Sequence, residues 1–302
     1  MDFVISGVTV NPFLLATIGF MVGILGGFFG VGGGFIAAPF MFWAGVPTNF
    51  VVGTDLAHMT GKSMVALRHH RALGHVDAKL GGIMVVGTII GVELGAQMIE
   101  RLETAGNIDL VIGVAYIIIL LIVSAFTAYE SIRALRMIQT DSIDAKDGIG
   151  FQGVARRVRG LRIPPYVSLP ASGIEKISIW PLLLVGFLTG TLAGMLGVGG
   201  GFVRMPMLIY VLGIPTHVAV GTDLFEIIFS AAYGTITHAV KGNVDILMAL
   251  VMGTGAAIGA QIGATSTRFF AGPKIRLMFS VLPLIGAIVV ILNLFSDGIL
   301  HF

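Results

Sequence analysis

Two glycine-rich breaks in long apolar stretches constrain this chain more than any other sequence feature. The first is GGFFGVGGGFIAAP at residues 26–39, and the second is GMLGVGGGFVRMP at residues 194–206. Consecutive glycines can adopt backbone angles that are closed to other residues, so each segment interrupts an apolar helix. Interrupted apolar helices at corresponding positions of two halves predict a transport site near the middle of a membrane.

The composition places the chain in the membrane class. Hydrophobic residues make up 56% of its 302 positions and charged residues 11%, whereas soluble domains carry about 25% charged residues. Several apolar runs approach the roughly 20 residues that a bilayer-spanning helix needs. We therefore predict an all-α polytopic protein of the cell membrane that is embedded in the lipid bilayer. The absence of cysteine excludes disulfides, thiol nucleophiles and cysteine-based metal sites.

The chain is an internal duplication of one membrane unit. Adding 167 to a residue number carries the first glycine break onto the second, so that Gly30 matches Gly197. Adding 168 carries Thr54-Asp55 onto Thr222-Asp223. Chance does not align this many special residues. We predict a first membrane repeat at 1–128, a basic linker at 129–179 and a second membrane repeat at 180–302.

The number of crossings in each half decides whether the two repeats are parallel or inverted. A broken run that crosses once gives parallel repeats, whereas a re-entrant hairpin or two short spans give inverted ones. The inverted arrangement places fourteen of the 18 lysine and arginine residues on one side and only Arg101 and Lys241 on the other. The parallel arrangement gives twelve against four. Because basic residues concentrate in cytoplasmic loops, we predict inverted repeats, each with a broken, re-entrant helix pair and three transmembrane helices, and a cytoplasmic linker.

Each glycine break begins a short helix whose first N–H groups have no partner within that helix. Such a helix start attracts anions because its unpaired N–H groups can donate hydrogen bonds and the positive end of the helix dipole lies there. Inverted halves bring the two starts together near the midplane, facing each other across a cavity. The predicted substrate-binding residues are Gly32, Gly33, Gly34, Phe35, Gly199, Gly200, Gly201 and Phe202. The alternative is that the glycines only permit a close helix crossing.

Two basic residues fall within the predicted membrane segments. Arg204 lies three residues beyond Gly201, the last glycine of the second break, and a guanidinium at that depth needs a partner. The partner is either an anionic substrate, whose sulfonate-type oxygens suit the planar donors, or an ion pair with Asp223 or Glu226. Both alternatives stay open, and Arg204 joins the predicted substrate-binding residues. Lys62, matched by Ser230, is a second and weaker candidate cation, because a lysine side chain can reach toward an interface.

The matched acidic residues Asp55 and Asp223 lie early in their apolar runs. A structural interpretation makes each of them a helix N-cap near the interface. A functional interpretation makes them part of a proton or cation relay, with His58 and Glu226 one turn further on. The structural role is slightly favoured for the aspartates. The candidates for coupling are Asp55, His58, Lys62, Asp223 and Glu226.

The sequence predicts neither a metal nor a cofactor. His69, His70 and His75 cluster in a basic connection, but their spacing is not that of a metal site, and we interpret them as residues of a solvated loop. No H-E-x-x-H or G-x-S-x-G motif occurs, so an enzyme is not expected. No Walker-type phosphate loop is present, and nothing points to a nucleic acid partner.

These motifs resemble the sulfite-exporter (TauE/SafE-like) permeases, which are also called the toluene-sulfonate-uptake family. The resemblance rests on FGVGGG at 29–34 with Pro39, GVP at 45–47 and GTD at 53–55, on their copies LGVGGG at 196–201 with Pro206, GIP at 213–215 and GTD at 221–223, and on KGNVD at 241–245. It covers nearly all of the chain except the linker, which is longer and more basic than we expect for the family.

The resemblance implies a transporter of sulfur-containing anions such as sulfite, sulfonates or sulfoacetate. Transport would be secondary, coupled to protons or driven by the gradient and the membrane potential, and a homodimer is a candidate assembly. The alternative is an anion channel or a membrane sensor, in which the glycine breaks form the gate and the linker is the output module. The resemblance fixes neither the substrate nor the direction of transport.

Overall fold

The computed structural model describes residues 2–3, 5–103, 108–139, 152–196 and 200–296. The first half contains a short antiparallel hairpin and five helices: β1 (Asp2–Phe3), β2 (Val8–Thr9), α1 (Pro12–Phe29), α2 (Gly34–Trp43), α3 (Thr48–Ala72), α4 (Ala78–Glu103) and α5 (Ile108–Gln139). The connecting segment contains α6 (Gln152–Arg159) and a second hairpin, β3 (Tyr166–Leu169) with β4 (Ile174–Ser178).

The second half repeats the helix order of the first. Its helices are α7 (Ile179–Leu196), α8 (Gly201–Pro206), α9 (Thr216–Val240), α10 (Ile246–Ser266) and α11 (Gly272–Ser296), and a π-helical segment at Met207–Val211 continues α8. Each half therefore has a helix pair broken at the glycines, followed by three long helices, in agreement with the predicted order.

Local sequence explains where the broken helices begin and end. Asn11 caps α1, since its side chain accepts a hydrogen bond from the backbone N–H of Phe13 at 2.9 Å. Gly30 ends α1 with a φ of +76°, a conformation that favours glycine. Gly33 precedes α2 with a φ of +77°, and its repeat counterpart Gly200 precedes α8 with a φ of +68°.

The two halves pack into each other through equivalent helix pairs, α1 against α10 and α4 against α7. A Cβ atom added to Gly23 would lie 2.4 Å from the carbonyl oxygen of Ala256. A Cβ added to Gly190 would lie 2.4 Å from that of Thr88, which is the same contact in the other half. The glycines one turn before and after make the same close approach, in the pairs Gly19–Met252, Gly27–Ala260, Gly186–Met84 and Gly194–Val92. The four-residue glycine spacing thus serves close helix packing, as is usual within membranes.

Equivalent hydrogen bonds also join the halves where α4 and α10 begin. The backbone N–H of Asp77 donates to Thr222 Oγ1 at 3.0 Å, and the N–H of Asp245 donates to Thr54 Oγ1 at 3.0 Å. Each aspartate caps its own helix, because Asp77 Oδ1 accepts from Leu80 N–H and Asp245 Oδ1 accepts from Met248 N–H. The threonines of the two GTD motifs therefore bridge the repeats.

The two β-hairpins occupy equivalent places in this arrangement. Ser6, beside the first hairpin, donates its hydroxyl to Asp245 Oδ2 at 2.8 Å. Ser172, in the turn of the second hairpin, donates its hydroxyl to Asp77 Oδ2 at 2.7 Å. The second hairpin lies in the predicted linker, yet it makes the contact that the N-terminal hairpin makes. In its contacts it belongs with the second half.

The contacts relate the two halves by an approximate two-fold rotation. Such a rotation is common to parallel and inverted repeats, so the inverted orientation stays a prediction. Within the described residues, four helical segments are long and apolar enough to cross a membrane, namely Pro12–Phe29, Ala78–Gly95, Ile117–Arg136 and Ile246–Phe269. The fold is consistent with a multi-pass membrane protein.

One acidic and one basic residue that the sequence assigned to polar segments, Glu130 and Arg276, are buried between helices. Helix α5 continues past residue 128 to Gln139, and Glu130 within it is fully buried. Its Oε2 lies 3.3 Å from Nε of Arg276, which also donates to Thr216 Oγ1 at 2.8 Å. Arg276, predicted as a loop charge, is 1% exposed. In the count of basic residues on the two sides of the membrane, the C-terminal part of the chain therefore contributes Arg268 and Lys274 but not Arg276.

Candidate functional site

The two glycine breaks meet in the structure. A Cβ added to Gly201 would lie 3.1 Å from Gly32 N and 3.1 Å from the Cα atom of Val31. The two backbones are therefore in direct contact at this point, and the prediction that a cavity separates them is wrong there. The physical reason is that glycine has no side chain to keep the chains apart.

The structure places the other predicted residues of the breaks as follows. Gly34 is the first residue of α2, and Phe202 is 1% exposed near the start of α8. Gly199 and the side chain of Phe35 lie outside the described part of the structure. Their predicted contact with a substrate remains a prediction.

Arg204 forms a buried ion pair with two carboxylates of α9. Its Nη1 donates to Asp223 Oδ1 at 2.8 Å and also contacts Glu226 Oε2, and its Nε donates to Thr189 Oγ1 at 3.2 Å. All three charged side chains are shielded from solvent. Of the two alternatives for Arg204, the ion pair is the one present in the structure. A contact between Arg204 and a substrate stays a prediction.

The second carboxylate oxygen of Asp223 lies at the start of α8. A Cβ on Gly201 would be 2.8 Å from Asp223 Oδ2, and that oxygen has no hydrogen-bond partner among the described residues. A carboxylate near a helix N-terminus is favourable because the helix dipole is positive there. The chain therefore supplies its own anion at the second break.

Lys62 lies at the first break and is buried. Its side chain is 2% exposed, and its Nζ donates to the carbonyl oxygen of Gly32. The same ammonium would lie 2.9 Å from a Cβ on Gly33 and 3.0 Å from one on Gly26. The idea that Lys62 reaches out to an interface is wrong, because α3 directs its side chain into the gap that these glycines leave.

Lys62 and Arg204 occupy equivalent places at the two breaks. Lys62 Nζ lies beside Gly33, and Arg204 Nη2 would lie 3.2 Å from a Cβ on Gly200, the counterpart of Gly33. Aligning the repeats does not reveal this, because Lys62 aligns with Ser230. One cation comes from α3 and the other from α8, yet each stands against the positive-φ glycine of its own break.

The acidic residues lie within their helices rather than at the ends. The N-cap positions of α3 and α9 are Pro47 and Pro215, so the interpretation of Asp55 and Asp223 as N-caps is wrong. Asp55 Oδ1 lies 2.9 Å from His58 Nδ1, and both side chains are buried. Asp55 Oδ2 and His58 Nε2 have no hydrogen-bond partner among the described residues.

A small open cleft lies next to the ion pair, between α3, α4, α7 and α9. Ser230 lines the cleft and donates its hydroxyl to Glu226 Oε2 at 3.4 Å. Nearer the surface, Tyr233 donates its hydroxyl to Glu93 Oε2 at 2.8 Å, which joins α9 to α4 across the cleft. The cleft thus extends from exposed residues to Ser230, which lies beside the buried Glu226.

The histidines of the basic connection are packed rather than solvated. His70 is buried, and its Nε2 lies 2.9 Å from the carbonyl oxygen of Gly27. The ring of His75 stacks on that of His217 at 4.9 Å. Burial lowers the pKa of His75 and nearby His217 lowers it further, so this loop residue is held neutral. Within the described part of the structure, no group of three or more potential ligands could hold a metal.

Comparison with known proteins agrees with this arrangement. The family model for the sulfite exporter TauE/SafE matches residues 15–290, which include both breaks and all of the buried charges described above. The chain belongs to the sulfite exporter TauE/SafE family.

Curated relatives of this TauE/SafE chain are named as membrane transporters. The probable membrane transporter protein YunE of Bacillus subtilis is 24% identical over 292 residues, covering 94% of this chain and 98% of the relative. The probable membrane transporter protein MJ0441 of Methanocaldococcus jannaschii is 26% identical, covering 88% and 90%. The sulfite exporter TauE/SafE family protein 3 of Arabidopsis thaliana is 30% identical over 117 residues, covering 38% and 24%. No solved structure matches the chain.

Sequence reasoning missed several residues of this TauE/SafE site. Thr189 holds Arg204 from the neighbouring helix α7, and Ser230 connects Glu226 to the cleft. Neither has a distinctive sequence signal, since threonine and serine are ordinary residues of membrane helices. The equivalence of Lys62 and Arg204 was also missed, because it exists only in three dimensions.

Proposed function

We propose that this chain is a secondary transporter of small sulfur-containing anions, such as sulfite or an organosulfonate. The observation that carries the proposal is the meeting of two glycine breaks with a buried cation beside each, in a chain of the TauE/SafE family. A buried cation in a membrane protein needs an anionic partner, and helix starts at broken segments are the usual anion sites of transporters. The substrate binds at this crossing.

The antiparallel packing of α3 against α9 supports an inverted arrangement with alternating access. A Cβ on Gly53 would lie 2.3 Å from the carbonyl oxygen of Asn243, and one on Gly221 would lie 2.1 Å from that of His75. The halves are related by an approximate two-fold rotation, and the described cleft lies beside Ser230, in the second half. The equivalent place in the first half contains the Lys62 side chain, packed against Gly26. We assign the cleft to the side opposite the basic linker, since it ends near Lys241. The linker then lies in the cytoplasm.

The charges at the second break support coupling to protons. Arg204 contacts two carboxylates, Asp223 and Glu226, and all three groups are buried. Within this group of three, negative charges outnumber positive ones, and an uncompensated charge is costly inside a membrane. A proton on one carboxylate removes the imbalance. Ser230 connects Glu226 to the cleft and gives this proton a route to water.

A channel or sensor is the second candidate function, and one contact favours it. Arg159 of α6 donates from Nε to the carbonyl oxygen of Leu212 at 3.1 Å and from Nη2 to that of Gly213 at 2.5 Å. These carbonyls follow the second broken helix, so the linker is mechanically attached to it. A sensor would use this attachment to carry a movement of the glycine break to the linker.

Anion-dependent thermal stability of the purified protein tests the proposal. A ligand that binds the folded state raises the free energy of unfolding as its concentration exceeds the dissociation constant. We expect sulfite, thiosulfate or an organosulfonate to raise the melting temperature saturably and above chloride at equal ionic strength. Equal effects of all anions at every concentration would reject a sulfur-anion site.

A further inference from the structure

The two breaks carry equivalent cations but differ in the anions around them. Arg204 contacts two carboxylates. Lys62 has no carboxylate oxygen within 4.0 Å among the residues that the structure describes, and its hydrogen bond goes to a backbone carbonyl, that of Gly32. The positive charge at the second break is therefore satisfied within the protein, whereas the charge at the first break is paired with no carboxylate at contact distance.

The residues of α3 explain the difference. Asp55 and His58 are the counterparts of Asp223 and Glu226, with a shift of 168. Asp55 Oδ1 contacts His58 Nδ1 at 2.9 Å within the same helix, so this oxygen is paired with the histidine, and the carboxylate acts on Lys62 only from beyond 4.0 Å. Because His58 stands where the second half has Glu226, the first half has one carboxylate fewer near its cation.

The first break offers further polar atoms for a ligand. His58 lies four residues before Lys62, and residues at that spacing are neighbours on one helix face. His58 is 2% exposed, and its Nε2 has no hydrogen-bond partner within the described ranges. An ammonium has three donors, of which the Gly32 carbonyl uses one. Helix α2, which is ten residues long, begins directly after Gly33.

We propose that the substrate anion binds to the Lys62 ammonium at the first glycine break, and that Arg204 is the structural cation of the second break. This inference rests on the proposed function and assigns its charged contact. The ligand is a small oxyanion, because the ammonium is buried and lies so close to Gly26 and Gly33 that a Cβ at either position would be within 3.0 Å of it.

Binding measurements on variants of the full chain test the assignment. Lys62→Met and Lys62→Gln remove the charge, Lys62→Arg keeps it, and Lys241→Met removes an exposed lysine as the matched control. The readout is the sulfite-dependent shift in melting temperature, with folding checked by the monodispersity and melting of each variant without sulfite. We expect Lys62→Met and Lys62→Gln to bind sulfite roughly 10- to 100-fold more weakly, as for loss of a hydrogen bond to a charged group. Lys62→Arg should retain part of the shift, and Lys241→Met all of it.

The outcomes separate this inference from the proposed function. If both neutral Lys62 variants bind sulfite as tightly as the wild-type protein does, the assignment is overturned and the proposed function still stands. A wild-type protein that shows neither a shift nor uptake with any sulfur anion overturns the proposed function, and the assignment with it. If one of the two neutral variants fails to fold, the other still supplies the comparison.

Discussion

Arg204 Nη1 lies 2.8 Å from Asp223 Oδ1, and neither side chain is exposed to solvent. This contact joins the second broken helix to α9. Removing one partner of a buried pair leaves the other charge uncompensated, which costs about 3–5 kcal/mol. The two partners are not equivalent, however, because Arg204 also contacts Glu226.

We therefore expect Arg204→Met to destabilise the fold more than Asp223→Asn. The first change leaves two buried carboxylates without a cation, whereas the second leaves Arg204 paired with Glu226. Thermal unfolding of the purified variants measures the difference, and Lys241→Met serves as the exposed control. If Asp223→Asn lowered the melting temperature more than Arg204→Met, the conclusion that Arg204 is the cation shared by both carboxylates would be wrong.

The glycines at the helix crossings give a second prediction. A Cβ on Gly190 would lie 2.4 Å from the carbonyl oxygen of Thr88, so Gly190→Ala should force α4 and α7 apart at a cost of about 1–3 kcal/mol. Gly253 lies in α10 with nothing within 4 Å of such a Cβ. Gly253→Ala should be neutral or stabilise the fold by up to about 1 kcal/mol, because alanine favours helices.

Melting temperatures of these two alanine variants provide the test. The same experiment on Gly23, the counterpart of Gly190, should give a loss of similar size if the two halves pack equivalently. Tolerance of alanine at both positions would contradict the close approach of the helices.

The orientation of the repeats can be tested with single cysteines, since the chain contains none. Leu73 and Lys241 are exposed C-caps of α3 and α9 and correspond to each other with a shift of 168. Inverted repeats place them on opposite sides of the membrane. We expect a membrane-impermeant maleimide to label Lys241→Cys in intact cells and Leu73→Cys only after permeabilisation. Labelling of both from the same side would establish parallel repeats.

The sequence alone predicted the elements that depend on local or repeated signals. The glycine breaks, the helix order and the duplication all follow from residues such as Gly30 and Gly33, whose type is demanded by backbone conformation. Family membership followed from the same motifs and is confirmed by the match at 15–290.

The sequence could not predict which charges meet. The N-cap interpretation of Asp55 assumes that α3 begins near it, but α3 begins at Thr48, directly after Pro47 and about two turns earlier. Proline is favoured where helices begin, so a signal for the earlier start was present. Arg204 and Lys62 gave no comparable signal, because their equivalence depends on side chains that arrive from different helices. The spacing of residues along the chain does not tell which side chains of different helices meet.

Uptake into proteoliposomes tests the central claim most directly. Purified protein is reconstituted, and labelled sulfite uptake is followed with and without an imposed proton gradient, with empty liposomes as the control. The proposed transporter predicts saturable uptake that the proton gradient accelerates and that other small sulfur oxyanions compete for. In Lys62→Met the half-saturating sulfite concentration should rise roughly 10- to 100-fold. Electrogenic flux that rises linearly with sulfite concentration, without saturation or competition, would contradict the account and favour a channel.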